Sequence, residues 1–163
     1  MGRDIGNVDG SPILFNGVIY VGTVAGHVYA YDTSGTELWS NTTLADGPVK
    51  GFIFPQFGSP NVLLSTSTKV WSLDAAGVPN TNWPVSLASP SIPLFSWGSN
   101  HVIVGDAGGK LYQIHASDPT VITSVTLGDG SSNVGAPSLD LLNSVIYVGT
   151  DGGIIYAVDF PLP

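Results

Sequence analysis

Few side chains in this 163-residue chain can do acid–base, nucleophilic or metal chemistry, and their spacing limits what they can do. Asp and Glu together number 12, and Glu37 is the one glutamate, so a glycosidase built on paired carboxylates would have to use aspartates. The histidines are His27, His101 and His115. They are read at strand ends in different repeats, and no His-x-x-x-His or His-Glu pairing marks a zinc site. Cysteine is absent, which removes disulfides, thiolate metal ligands and a cysteine nucleophile. There is no Gly-x-Ser-x-Gly elbow and no Asp-x-Asp-x-Asp-Gly calcium loop. No catalytic residue, metal ligand set or cofactor is therefore assigned.

Charge narrows the partners. The formal net charge is −8, and the four cations, Arg3, Lys50, Lys69 and Lys110, are scattered. Nucleic acid and anionic membranes both require clustered cations, so neither is an expected partner. No apolar run is long enough to span a bilayer, and no apolar segment of signal-peptide type follows Met1-Gly2-Arg3-Asp4. With 43% hydrophobic and 10% charged residues the chain is a folding one, of a size for a single domain. Its surplus of Ser, Thr, Asn and Gly over Lys and Glu suggests an extracytoplasmic setting (periplasmic, secreted or cell surface). The sequon Asn41-Thr42-Thr43 matters only in a eukaryotic secretory context.

The elements that must position these residues form a repeat. Val18–Thr23, Asn61–Thr66, His101–Asp106 and Val145–Thr150 align as strands, each followed by a short turn. A second strand then ends at Asp32, Asp74, His115 and Asp159, which are 42, 41 and 44 residues apart. That period fits four-stranded propeller blades, and the β-branched and aromatic content fits strands buried on their faces. A shorter strand precedes each pair, near Pro12–Phe15, Gly51–Pro55, Ile92–Trp97 and Ala136–Asp140. A fourth follows at Glu37–Leu44, Asn82–Leu87 and Val121–Leu127, and the last repeat has none. Asp4–Val8 offers only weak pairing. The reading is a single all-β domain with about fifteen strands and almost no helix, in repeats spanning roughly 8–48, 49–89, 90–130 and 131–163. Asp32, Asp74 and Asp159 end equivalent strands, where a carboxylate caps the following turn by accepting backbone N–H bonds. The alternative, a ring of carboxylates around one metal, would place the groups a whole blade apart.

Repeat one reads Ile19-Tyr20-Val21-Gly22-Thr23, Val28-Tyr29-Ala30-Tyr31-Asp32-Thr33-Ser34-Gly35 and Glu37-Leu38-Trp39. Repeat four reads Ile146-Tyr147-Val148-Gly149-Thr150-Asp151-Gly152-Gly153 and Ile155-Tyr156-Ala157-Val158-Asp159. These resemble the PQQ-like β-propeller repeat, shared by quinoprotein dehydrogenases and by non-catalytic propellers such as an outer-membrane assembly lipoprotein. Repeat two lacks the glycine, and repeat three has His115 for the aspartate and no tryptophan in its fourth strand. The resemblance implies blades of four antiparallel strands, here half or a fragment of a seven- or eight-bladed ring. It implies that Trp39 and Trp83 pack between blades rather than present platforms for a sugar. It also places Asp46, Asp106, Asp129 and Asp151, on linkers and second-to-third-strand turns, on the face that binds partners in such propellers.

The expected function is a non-catalytic scaffold binding another protein or a second copy of itself, with an eight-bladed ring as the closed form. One alternative is a fragment of a PQQ-dependent dehydrogenase. That activity implies a quinone, a calcium held by Glu, Asn and Asp, and often a vicinal cysteine pair. The other is a carbohydrate- or surface-binding module.

Overall fold

The chain folds as four antiparallel sheets side by side in chain order, in a computed structural model that describes residues 2–53 and 61–163. Blade 1 comprises β1 (Ile13–Phe15), β2 (Val18–Gly22), β3 (Val28–Asp32) and β4 (Glu37–Asn41). Blade 2 comprises β5 (Gly51–Ile53), β6 (Val62–Ser65), β7 (Lys69–Leu73) and β8 (Val85–Ser86). Blade 3 holds β9 (Leu94–Ser96), β10 (His101–Gly105), β11 (Lys110–His115) and β12 (Ile122–Thr126). Blade 4 has β13 (Ser138–Asp140), β14 (Val145–Gly149) and β15 (Ile155–Asp159), with no fourth strand. No helix occurs among the described residues. The expected first strand of repeat two runs to Pro55, and its last two residues lie outside the described ones.

Neighbouring strands are consecutive in sequence, so each blade is a meander closed by tight hairpins. Gly26, Gly109 and Gly153 take positive φ (81°, 73° and 80°) in the three described β2–β3-type turns that carry glycine. A side chain would be strained there.

Both faces of a blade carry apolar residues, and the blades bury them against one another in three cores. Tyr20, Val28 and Ala30 of blade 1 pack against Val62, Leu64, Trp71 and Leu73 of blade 2. Leu63 and Val70 meet Phe95, Val102, Val104 and Ile114 of blade 3. Ile103 and Leu111 meet Ile146 and Val148 of blade 4. Period-two alternation assigns each strand one set of residues for the blade before and one for the blade after.

Linkers lock this arrangement. Val49 N–H donates to Thr23 O of the blade it leaves (3.1 Å), and Lys50 N–H to Ser65 O of the blade it enters (2.9 Å). Val134 and Gly135 do the same to Asp106 O and Gly149 O (2.8 and 2.9 Å). At the middle joint Ser91 N–H bonds Gly105 O (2.8 Å), while Pro90 has no N–H to give. In return each new blade's hairpin turn reaches the linker: Ser67 N–H to Asp46 O, Ala107 N–H to Ala88 O and Asp151 N–H to Asn133 O. Asp4–Val8 forms no strand. Instead Asn7 O accepts Val24 N–H (2.8 Å), the bond that an incoming linker makes to blade 1.

The linker valines also fill cups. A methyl built on Gly22 would lie 2.4 Å from Val49 Cβ, and one on Gly105 2.5 Å from Val134 Cγ1 and 2.6 Å from Val134 O. The equivalent Gly149 meets nothing within 4 Å. Blade 3 lacks the fourth-strand tryptophan, and the C-terminal tail makes up the volume. Leu162 is buried, its N–H donates to Gln113 Oε1 (2.9 Å), and Phe160 packs beside it.

Gly105→Ala must push Val134 out of its cup and should cost about 1–3 kcal/mol by overpacking. Gly98→Ala, at a turn with open space, should change stability by no more than about 0.5 kcal/mol. Urea midpoints of the two variants check the difference.

Candidate functional site

The four aspartates of the linker-and-turn face are spent largely on the fold. Asp46, half-buried, accepts Thr66 Oγ1–H (2.5 Å), Thr68 N–H (3.0 Å) and Thr68 Oγ1–H (2.7 Å), tying the first linker to the next blade's turn. Thr66 Oγ1 in turn accepts the Trp71 indole N–H (3.0 Å). Asp106 is only 2% exposed. It accepts Gly108 and Lys110 N–H (both 2.9 Å) and the Tyr112 hydroxyl (3.1 Å). Burial, then the Asp106 charge and hydrogen bond, pushes the Tyr112 phenol up to about 12. Asp129 caps its own turn at Ser131, and Asp151 accepts Asn133 N–H (2.8 Å). Asp129 and Asp151 are exposed, whereas Asp106 offers nothing to a ligand.

On the opposite ends of the strands, Asp32 Oδ1 accepts Ser34 and Thr36 N–H (2.9 and 2.8 Å). Asp74 Oδ1 likewise accepts Ala76 and Val78 N–H (both 2.9 Å). At Asp159 the chain turns into its tail, and no such bond forms among the described residues. In the same position of blade 3, His115 Nδ1 accepts Asp118 N–H (3.2 Å), so a histidine substitutes for the aspartate.

Trp39 and Trp83 both lie at joints. The Trp39 ring lies on Gly77 of blade 2, where a methyl would sit 2.3 Å from Cε3, and Asn41 Nδ2 donates to Gly77 O (2.7 Å). The sequon asparagine is thus engaged in the joint. Trp83 is buried and donates its indole N–H to Ala116 O of blade 3 (3.3 Å). Trp71 is buried as well, whereas Trp97 is 57% exposed.

The histidines correct the reading that placed them in different repeats. His101 and His115 face each other across β10 and β11 in one blade, with ring centroids 5.4 Å apart. The repeat spanning 90–130 already contained both; that their rings face each other follows from the in-register pairing of β10 with β11. Burial, then the neighbouring His115, holds His101 below its ordinary pKa. Glu37 pairs with Arg3 at the start of β4. Among the described residues no three His, Asp or Glu side chains converge as metal ligands would.

What remains open is the last blade. In β14 and β15 the residues Tyr147, Ile155 and Ala157 are exposed, Tyr147 at 44% and Ile155 at 79%. Their register equivalents in blade 1, Tyr20 and Val28, are 5% and 0% exposed. β15 also has a partner on one side only. Sequence reasoning missed these residues, although the identity of Val18–Thr23 and Val145–Thr150 held the signal.

The family model of the outer membrane protein assembly factor BamB, built on PQQ-type repeats, matches residues 5–161. The chain belongs to this family. Its BamB-like blades also match solved structures. BamB from Moraxella catarrhalis is 19% identical with a TM-score of 0.72, over 93% of this chain and 46% of that one. The WD40 domain of Neurospora crassa Pan2 is 17% identical with a TM-score of 0.67, over 94% and 47%. The computationally designed Ika4 protein is 18% identical with a TM-score of 0.66, over 98% and 99%. At these identities the likeness concerns the fold, a partial β-propeller. The chain spans about half the length of the BamB and Pan2 structures and nearly all of Ika4. No curated protein matches the sequence. No helix among the described residues is long and apolar enough to cross a membrane.

Burial tends to raise the Asp46 pKa, but the hydrogen bonds from Thr66 and Thr68 and the Lys69 charge outweigh it, so it falls below the ordinary value. Asp32, Asp118, Asp129 and Asp140 are lowered chiefly by side-chain hydrogen bonds from Ser34, Thr120, Ser131 and Asn143. Depressed folded-state values add stability above the unfolded carboxylate pKa of about 3.9, and that stability is lost as pH falls through the folded values. Thermal melts should therefore drop below about pH 4, after a smaller loss that begins below about pH 6.5, where the unfolded chain protonates His101 more readily than the fold does. Asp46→Ala should lose about 1–2 kcal/mol at neutral pH and show a shallower acid drop.

Proposed function

We propose that this BamB-like chain is a non-catalytic propeller module, a rigid scaffold that binds another protein or a second copy of itself through its open end blade. The observation that carries this reading is the bare apolar face of blade 4, Tyr147, Ile155 and Ala157, beside the one-sided strand β15. Exposed sheet edges and apolar patches are docking surfaces for protein. The local engagement of Asp46 and Asp106, and the burial of Trp83, support a structural use for residues that a catalytic or sugar site would need free. The dehydrogenase alternative has less support, because Glu37 is committed to Arg3 and cysteine is absent. The family description as an assembly factor supports the same reading, and with the composition it supports an extracytoplasmic setting.

A photoreactive benzoylphenylalanine placed at Ile155 in producing cells should give a covalent protein adduct, and one at Ser131 on the acidic face should not. Titration of the purified chain with pyrroloquinoline quinone and calcium should stay flat. Absence of any protein adduct at Ile155, or saturable quinone uptake, would overturn the module reading.

A further inference from the structure

The bare face of blade 4 already occurs elsewhere in this chain with its cover in place. Val145–Thr150 repeats Val18–Thr23 residue for residue, and Ile155-Tyr156-Ala157 follows Val28-Tyr29-Ala30. In blade 1, Tyr20, Val28 and Ala30 of these segments are buried against Val62, Leu64, Trp71 and Leu73 of blade 2. The face able to cover blade 4 is therefore one of the same register class as the blade 2 face. Blade 1 carries residues of that class: Ile19, Val21, Tyr29 and Tyr31 stand where blade 2 has Val62, Leu64, Trp71 and Leu73, with Val21 buried and the other three half-buried in the single chain.

The linker geometry agrees at atomic detail. Asn7 O accepts Val24 N–H as Asn133 O accepts Asp151 N–H, so Asn7-Val8 stands where Asn133-Val134 stands one joint later. Val134 is fully buried in the cup of Gly105, and its N–H reaches Asp106 O. Val8, by contrast, is 41% exposed. At the other end Gly149 is, among the described residues, an empty cup of the same kind, and Thr150 O, the equivalent of Asp106 O, receives among them only its own turn's Gly153 N–H (3.0 Å). The chain thus carries the knob at one end and the hole at the other.

We propose that a second copy of this chain docks head to tail on the first, blade 1 against blade 4, with Val8 seated on Gly149 and its N–H on Thr150 O. A heterologous contact of this kind closes when its rotation permits, and two four-blade chains then form an eight-bladed ring. This inference rests on the protein-binding reading of the same end blade and names its partner.

Light scattering of the whole chain should give twice 16.9 kDa at micromolar concentration, falling to one chain on dilution. Gly149→Val fills the cup while meeting open space in a single chain, so it should fold normally yet weaken association about a hundredfold. Val8→Asp should do the same. Leu142→Asp, 97% exposed on the turn between β13 and β14, should leave the pair intact. Circular dichroism melts at high dilution establish that each variant is folded. A folded wild-type monomer at millimolar concentration, a pair insensitive to both joint variants, or masses of three or more chains would overturn the proposal. A monomer whose Ile155 cross-links to a different protein would retire the second copy and keep the module reading. A monomer without any adduct would retire both.

Discussion

A propeller blade with apolar side chains on both faces cannot stand in water as a single layer. Each of the three joints removes such a face from solvent, and fully buried Val28, Leu64, Ile103 and Ile146 show how completely it is done. At about 25 cal/mol per Å² of apolar surface, this face-to-face burial is the main favourable term in folding. The rest of the structure is arranged around it. The hairpins are short because consecutive strands must stay in one blade, and the linkers are tight because the next blade must lie flat on the last.

Polar groups serve the same packing. Backbone amides of the linkers cross-stitch neighbouring blades, and Asp46 extends that stitching through Thr66 to the Trp71 indole. Buried donors and acceptors must be paired, so a turn that lies in a joint recruits a carboxylate for its N–H groups. This explains how an acidic face arises without any ligand, and why Asp106 is both central and inaccessible.

The blade pattern was legible in the sequence because strand alternation, turn glycines and a period near 42 residues are local signals. Trp39 and Trp83 stood out for the same reason, as repeat positions. The His101–His115 contact was not, because it depends on the register of two strands that a hairpin brings together. The role of the C-terminal tail was also hidden. Phe160 and Leu162 follow the last strand and carry no repeat signature, yet they occupy the joint that a tryptophan fills elsewhere. The proposed pairing of Val8 with Gly149 needed the other joints as a template, since neither residue touches its counterpart within one chain.

On the proposed reading, covering of the end blade links folding to function: a surface that is core at three joints serves as the binding site at the fourth. Amide hydrogen exchange of β14 and β15 as a function of concentration tests this most directly. The account predicts that these strands gain protection at high concentration and lose it on dilution, while β6 and β7 inside the array stay protected throughout. Equally fast exchange of β15 at every concentration would contradict it, because blade 4 would then be stable with its face left bare.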